Sequence, residues 1–501
     1  MGTVSHRIDT KIGPLLRGKR ARAARRVATE DNHWTTMKKS IERASVKVKA
    51  TMITAKEASI SKMTERHDHI AFPWLSLPAD IRLLVLDEVS GQKHGGWAQC
   101  AAVCKEWLAI FEPKNFSHLA LQPSCLDELE TLVVRQRRLV QHICLNIDLA
   151  RYACPSCKRG ATMSSRRSTM FRRAILKLFS ILSTWEPTGQ LTLELSASSP
   201  SDSQHWFKNY CFGPGHEDTR DWTQQEKAIR WHDPKHGWVN GRQVKMPDLP
   251  AISRLFSPLC LNVPQNLPAV HAVTGFCIRR QLRHQLFPEV LKALWEKLPR
   301  LESIVHELWR VRPHHYQIAC AYELASLFQY SVPKSVKRLS IFKDFNNQVE
   351  LALDDATPHL GRDFKPTLAV HVQLAKAFAA KSHHLERLSI SYMIDAQQFF
   401  TSCQQLPCTW NVLQSLTLTS STLARTAPHQ NVYTLLQNAS SVALKMPQLK
   451  TMVLWNSEPG QACAVIYQRH SASAIATLTW RGTWNLELSG DVVESWKEVP
   501  W

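Results

Sequence analysis

Cysteines and histidines near residues 150–240 are the side chains in this sequence best suited to chemistry. Cys154 and Cys157 form a C-x-x-C pair, a spacing that can supply two of the four ligands of a structural zinc ion. No second C-x-x-C pair follows nearby, and with 22 histidines in the chain chance proximity is expected. The pair therefore favours an ordinary loop, and we predict neither a metal nor a cofactor. The histidines considered as possible ligands are His205, His216, His232 and His236.

Motifs of the common enzyme classes do not occur in this sequence. It contains no Gly-rich phosphate loop, no G-x-S-x-G elbow, no H-E-x-x-H and no kinase signature set. Its 42 acidic residues show no paired motif of the hydrolase type. We therefore expect a protein that is not an enzyme and has no catalytic residues.

The stretch from Phe72 to Leu121 has the pattern of two short amphipathic helices joined by a Gly-rich turn. Pro78 suits the start of a helix, because the amide hydrogen that it lacks would have no partner there. Apolar residues then recur at helical spacing in both segments, and the second segment is predicted to end at Pro113. These residues are Leu77, Ile81, Leu84, Val85 and Val89 in the first segment, and Trp97, Cys100, Ala101, Cys104, Trp107, Leu108 and Phe111 in the second.

The order of these features resembles an F-box. The resemblance rests on Leu77-Pro78-Ala79-Asp80-Ile81, on Val103-Cys104-Lys105-Glu106-Trp107, and on apolar residues from Phe116 to Leu121. F-boxes bind a Skp-family adaptor and so join a protein to a cullin-RING ubiquitin ligase. The alternative is that the two helices simply begin a larger hydrophobic core. The resemblance implies that the adaptor-binding residues are Leu77, Pro78, Ile81, Leu84, Val85, Val89, Val103, Cys104, Trp107 and Leu108.

Length and charge divide the chain further. A chain of 501 residues suggests two or three units, and its formal net charge is +20. Residues 1–66 hold 16 basic and 6 acidic side chains and few large apolar ones, which predicts a disordered basic arm. Its cluster Arg17 to Arg26 is typical of a nuclear localisation signal or a patch for nucleic acid or acidic partners, but equally of a solvated leader.

The compartment is expected to be the nucleus, the cytoplasm or both. No apolar run approaches the roughly 18 residues of a membrane span, and the start lacks a signal-peptide segment, so no membrane association is predicted. The 13 cysteines show no framework spacing, which fits a reducing compartment.

A weak internal repeat follows, in which a helix alternates with Leu-x-x-hydrophobic-x-hydrophobic. The strand-like members start at Leu301, Val336, Leu385, Leu413 and Leu449, an irregular spacing compared with the 20 to 29 residues of a leucine-rich repeat. Such units bury their strands only by stacking, so we expect a parallel sheet covered by helices. Helices are predicted at 126–140, 170–182, 369–380, 397–403, 432–446 and 491–496, further strands at 143–147 and 190–196, and an antiparallel cap from strands at 464–467, 477–480 and 484–488.

The predicted fold class is thus α+β or α/β. A disordered basic arm (1–66) precedes a small helical F-box (67–121) and an irregular leucine-rich-repeat-like recognition domain (122–501), with long loops near 199–245 and 356–367. Segments such as LERLSISYMIDAQQFF from Leu385 and MPQLKTMVLWN from Met446 resemble a filamentous-fungal family in which an F-box precedes a domain of unknown function. That resemblance implies a receptor that recognises a protein target, whose identity it does not supply.

Three functions therefore stand as expectations. The first is the substrate receptor of a Skp-cullin-RING ubiquitin ligase, which binds its target through the sheet face or the loops of residues 122–501. The second is a basic nuclear protein that associates with nucleic acid or chromatin and has no ligase role. The third is a repeat protein for protein–protein interaction with a vestigial F-box.

Overall fold

The computed structural model describes residues 2–8, 74–92, 97–158, 165–212, 231–259, 267–309, 321–344, 368–470 and 475–499. The chain divides into two units, Asp9–Lys93 and a larger unit formed by Met1–Ile8 and His94–Trp501. The division falls inside the segment predicted as an F-box, so the second predicted helix belongs to the larger unit. Within the described residues, no helix combines the length and hydrophobicity that a bilayer-spanning segment needs.

In the smaller unit, a single 3-10 turn, Trp74–Ser76, precedes helix α1, Ala79–Gly91. Pro78 occupies the position before the helix with extended backbone angles, as predicted from its missing amide hydrogen. The Arg82 guanidinium donates a hydrogen bond to the carbonyl oxygen of Leu77, so a side chain of the first turn holds the incoming chain. The predicted helix start is confirmed.

The second predicted helix is two helices, α2 (Trp97–Ala101) and α3 (Lys105–Ser117), with Cys104 in an extended conformation before α3. The prediction that it ends at Pro113 was wrong, because Pro113 lies inside α3. A proline leaves the carbonyl four residues earlier without its helical partner. That residue is Ala109, which is exposed, so water can satisfy its carbonyl oxygen.

The larger unit is built on one 12-stranded sheet that is mostly parallel. Nine parallel strands lie side by side in the order β2, β3, β4, β7, β8, β9, β10, β11 and β12, which apart from a separate hairpin is also their order in the sequence. The strands are β2 His118–Leu121, β3 His142–Asp148, β4 Leu191–Ser198, β7 Val273–Ile278, β8 Ser303–Trp309, β9 Arg338–Asp344, β10 Arg387–Ser391, β11 Ser415–Thr419 and β12 Thr451–Glu458. The hairpin is formed by β5, Trp238–Val239, and β6, Arg242–Gln243.

Helices connect successive parallel strands. They are α4 Leu126–Leu132, α5 Ser165–Leu182, α6 Pro200–Gln204, α7 Leu249–Leu255, α8 Pro288–Trp295, α9 Leu368–Ser382, α10 Ala396–Gln404 and α11 His429–Ala443. A π-helical turn, Leu327–Ser331, follows helical residues 321–326. The helix predicted over 126–140 was wrong beyond Leu132, where Val133 leaves the helical conformation and a 3-10 helix, Arg135–Leu139, follows.

Alternate strand residues and the helices share one hydrophobic core. On β11, for example, Leu416 and Leu418 are fully buried, whereas Ser415 and Thr417 between them are half-buried. Because strand side chains alternate between the two faces of a sheet, the core lies on one face only. Within the described residues this core runs from Leu126 to Val499.

The sheet ends in antiparallel strands. β13, Gln461–His470, pairs with β12, β14, Ile475–Gly482, pairs with β13, and β1, Gly2–Ile8, pairs with β14. The third predicted strand, 484–488, was wrong, because these residues form no ladder; Trp484 instead accepts a hydrogen bond from the Trp480 indole through its carbonyl oxygen. The last helix is α12, Gly490–Lys497.

The N-terminal arm was expected to be without structure, and its first residues differ from that expectation. Gly2–Ile8 forms a strand along its whole length with Ala476–Gly482. The rest of the arm, including the basic cluster at residues 17–26, lies outside the described residues, as does the loop predicted near 356–367.

Candidate functional site

The ten predicted adaptor-binding residues lie on α1, on α3 and in the turns that precede these helices, and none of them is buried. Ile81, Leu84 and Val103 are 42%, 46% and 58% exposed. Pro78 and Cys104 are also exposed, and the remaining five, Leu77, Val85, Val89, Trp107 and Leu108, are half-buried. The core of the larger unit contains no member of this set. In each of the two units, these residues therefore leave apolar side chains in contact with solvent.

Two further apolar side chains share this exposure but were not predicted. Leu75 is 82% exposed and Leu83 is 53% exposed. Helical spacing placed Ile81 and Val85 in one row of apolar residues, and Leu83 does not belong to that row. Leu86, in contrast, is fully buried on α1 and Phe111 is fully buried on α3. Helices α1 and α3 thus each bury one large apolar side chain completely and leave other apolar side chains partly or largely exposed.

The second candidate surface is the sheet face opposite the core, which we name the polar sheet face. It consists of the side chains at every second position along each strand. The strand register places these side chains in rows that cross the neighbouring strands. None of its members belongs to the core. One row consists of Ser303, Arg338, Arg387, Ser415 and Thr451, and the next of Val305, Ser340, Ser389, Thr417 and Val453.

A third site lies beyond the carboxyl ends of β3 and β4. Because these strands are parallel neighbours, the chains that leave them emerge at the same edge of the sheet. The Leu149 amide donates to the Ser198 carbonyl oxygen at 2.8 Å, and the Ser199 hydroxyl donates to the Ala150 carbonyl oxygen at 3.0 Å. Tyr152 continues the contact, with its hydroxyl donating to Asp202 at 2.8 Å. The two loops are therefore joined by hydrogen bonds along their first residues.

This arrangement brings together four of the residues singled out in the sequence, Cys154, Cys157, His205 and His236. One ligand atom from each lies within 4.8 Å of the other three. Nε2 of His236 is 3.4 Å from Sγ of Cys154 and 3.1 Å from Nδ1 of His205. We name these four residues the Cys–His cluster. The C-x-x-C pair was predicted to lie in an ordinary loop, but Cys157 is buried, and the two histidines beside the pair lie 48 to 82 residues further along the chain.

The other two histidines considered in the sequence are not part of this cluster. Nδ1 of His232 lies 3.3 Å from the side-chain oxygen of Asn240, at the β5–β6 hairpin. His216 lies outside the described residues.

Burial controls the electrostatics of the cluster. Burial raises the pKa of the Cys157 thiol to about 11, and burial together with the nearby His236 lowers the pKa of His205. Although burial favours the protonated acid, hydrogen bonds from His236 and Lys208 hold the pKa of Asp233 below its usual value. Asp233 is thus an anion beside His236, with its Oδ2 atom 2.7 Å from Nδ1.

A hydrophobic cluster supports this site and is separate from the main core. Trp206 and Phe207 come from the loop after β4, Ile252 and Phe256 from the α7 region, and Trp309 from the end of β8. The Trp238 indole donates to the Trp206 carbonyl oxygen at 3.0 Å, which ties the β5–β6 hairpin to this group. Cys157 belongs to the same buried set.

Comparison with known proteins adds one match. DUF6546, a family of unknown function, matches residues 331–500, which run from the end of the π-helical turn through β9 to α12. A search of curated proteins finds no match. The region with the predicted F-box and the region with the Cys–His cluster both lie outside the matched residues.

Proposed function

We propose that this protein is the substrate receptor of a Skp-cullin-RING ubiquitin ligase. The observation that carries the proposal is the exposure of the predicted adaptor-binding residues. Had the helices begun a larger core, Ile81, Leu84 and Val103 would be buried in it, whereas each is more than two-fifths exposed. Exposed apolar side chains that cluster in one short segment are typical of a surface that binds another protein.

The energetics of such a surface are sufficient for a stable complex. Burial of one large aliphatic side chain contributes about 1.5 to 3 kcal/mol, and a few of them dominate most interfaces. The motif order Leu77-Pro78 and Val103-Cys104 then favours a Skp-family adaptor as the partner over an arbitrary protein. In this role the protein has no chemistry of its own and acts by holding a target close to the ubiquitin-conjugating enzyme.

We further propose that the polar sheet face, in an irregular leucine-rich-repeat-like arrangement, binds the target. Arg338 and Arg387 lie directly opposite one another in the β9–β10 register. Two like charges at such positions repel each other, and an acidic partner would relieve that repulsion. We therefore expect the target to present an acidic segment to this face.

The first prediction tests adaptor binding with the full chain. Ile81→Asp combined with Pro78→Ala is expected to abolish co-purification with a recombinant Skp-family adaptor. A single Leu84→Ala exchange should weaken the affinity about tenfold, since the lost burial of an aliphatic side chain is on the order of 1.5 kcal/mol or more. Isothermal titration calorimetry measures both effects.

Leu132→Asp is the matched control, because Leu132 on α4 is 71% exposed but lies outside the predicted surface. It should bind the adaptor as the wild type does. Wild-type binding by the Ile81→Asp variant would reject the proposal.

A salt series separates the nucleic-acid alternative, because phosphate binding weakens steeply with salt whereas an apolar interface tolerates it. Strong, salt-sensitive DNA binding without adaptor binding would favour that alternative.

A further inference from the structure

We propose that Cys154, Cys157, His205 and His236 bind one zinc ion, and that this ion has a structural role. The ion would join His205 and His236, which precedes the β5–β6 hairpin, to the loop after β3. This inference is independent of adaptor binding, because the cluster and the predicted F-box share no residue.

The distances suit tetrahedral zinc. Zinc binds thiolate sulfur at about 2.3 Å and imidazole nitrogen at about 2.0 Å, so ligand atoms at tetrahedral angles lie about 3.3 to 3.8 Å apart. The contacts from His236 Nε2, 3.4 Å to Cys154 Sγ and 3.1 Å to His205 Nδ1, are close to these values. The C-x-x-C spacing of Cys154 and Cys157 is that of zinc knuckles. Since all four ligand atoms lie within 4.8 Å of one another, shifts of about 1 Å bring them to tetrahedral separations around a zinc ion.

The histidine tautomer also suits a metal. Nδ1 of His236 donates to the Asp233 carboxylate at 2.7 Å, which leaves the lone pair of Nε2 directed at the other ligands. A histidine that binds zinc usually donates its other ring N–H to a carboxylate in this way, which fixes the orientation of the ring. Asp233 is itself held by Lys208, whose ammonium lies 3.3 Å from the carboxylate.

The donor set discriminates among metals. Two thiolates and two imidazoles suit zinc, whereas magnesium and calcium require oxygen ligands. With four protein ligands, no coordination position is left for water or substrate, which is typical of structural and not catalytic zinc. The site therefore adds no reaction to the protein and fits its role in binding.

The ion would stabilise a part of the fold that lies outside the main hydrophobic core. The strands of the β5–β6 hairpin are two residues long, and the hydrophobic cluster around Trp206 is small and separate from the main core. Small clusters of this kind usually need a metal or a disulfide for stability. Zinc would link Cys154 to His236 across 82 residues of chain and fix the loops at this edge of the sheet.

The test measures metal in the intact protein purified under reducing conditions without chelator. Inductively coupled plasma mass spectrometry should find close to one zinc ion per chain. Cys154→Ser and His236→Ala should lose this ion. Cys211→Ser and His232→Gln are the matched controls, since both residues lie in the same region but outside the cluster, and they should retain it.

Two further measurements keep the proposal testable if the ligand variants fold poorly. The metal-free protein should regain one equivalent of Zn²⁺ in a competition titration, and Asp233→Ala, which keeps all four ligands, should bind it about 10- to 100-fold more weakly. Cobalt in place of zinc should show thiolate-to-metal charge-transfer absorption that Cys157→Ser reduces. Zinc content far below one equivalent after reconstitution, or a Cys154–Cys157 disulfide in reducing buffer, would overturn the proposal.

Discussion

Two histidines in the main body of the protein are held neutral by burial. His284 donates from Nδ1 to the Ser257 carbonyl oxygen at 2.8 Å, and Nδ1 of His306 has no hydrogen-bond partner within the described residues. Burial lowers the pKa of each to about 4. In the unfolded chain their pKa is about 6.5. Both residues therefore favour unfolding when the pH falls below that value.

The second prediction is a loss of stability in mild acid. Below about pH 6.5 the two histidines bind protons in the unfolded chain but remain neutral in the folded protein. The free energy of unfolding therefore decreases as the pH falls from about 6.5 toward about 4. At pH 5 the loss is about 2 kcal/mol for each histidine. His306→Leu should flatten the dependence of the thermal midpoint on pH. His271→Leu, which changes an exposed histidine, should leave that dependence intact; equal slopes in all three proteins would contradict the prediction.

Residue-level prediction from the sequence was limited by distance along the chain. The C-x-x-C pair was visible, but His205 is brought to it by the parallel pairing of β3 and β4, and His236 by the contact of Trp238 with Trp206. No local spacing carries that information. The predicted adaptor-binding residues could be proposed from the sequence because the F-box-like pattern is contained in about thirty consecutive residues.

At the scale of elements, periodicity located most of the repeat region. The strands predicted from Leu301, Val336, Leu385, Leu413 and Leu449 are all present, as are the helices α9, α10 and α11. β7 was missed because all six of its residues are buried, so its sequence does not alternate between apolar and polar, and it contains Gly275. A Cβ atom at Gly275 would lie 2.7 Å from Oγ1 of Thr192 on β4, so any larger residue there would have to displace that side chain.

Helix α3 shows where a local rule was too strict. A proline inside a helix removes one hydrogen bond and crowds the carbonyl four residues earlier, and the cost is smaller where that carbonyl can reach water. Here that carbonyl belongs to an exposed alanine, and Phe111 holds the middle of the helix in a buried position. Tertiary packing thus carries the helix past Pro113 to Ser117.

The third prediction follows for this helix. Pro113→Ala restores a helical hydrogen bond to Ala109 and should stabilise α3 by about 1 to 3 kcal/mol. A small part of this stabilisation is lost because alanine makes the unfolded chain more flexible than proline does. Hydrogen exchange of the amides at 105–117 should slow accordingly, while exchange in β11 stays the same. Lys105→Ala, at the first residue of α3, is the control and should change exchange little. Faster exchange in the Pro113→Ala protein would show that the proline is needed.

At the scale of the whole molecule, the order of the parallel strands in the sheet follows their order in the sequence. Each parallel strand pairs with the strands before and after it in the sequence, apart from the inserted hairpin. A stack of this kind gains its stability from units and from the interfaces between adjacent units. The main core nonetheless continues from α4 to the last helix, α12. A mutation in one strand could therefore destabilise only the adjacent strands, if strand pairing dominates, or the whole sheet, if the continuous core dominates.

The fourth prediction is that the disturbance stays local. Leu416→Ala on β11 removes a fully buried side chain and should destabilise its surroundings by about 2 to 5 kcal/mol. Since β11 contacts only β10 and β12 in the sheet, hydrogen exchange should quicken in these strands and in α10 and α11, and much less in β3 and β4. Leu193→Ala on β4, equally buried, should give the opposite distribution. Uniformly faster exchange from β3 to β13 in both variants would instead mean that the sheet unfolds as one cooperative unit, because the continuous core then outweighs the pairing of neighbours.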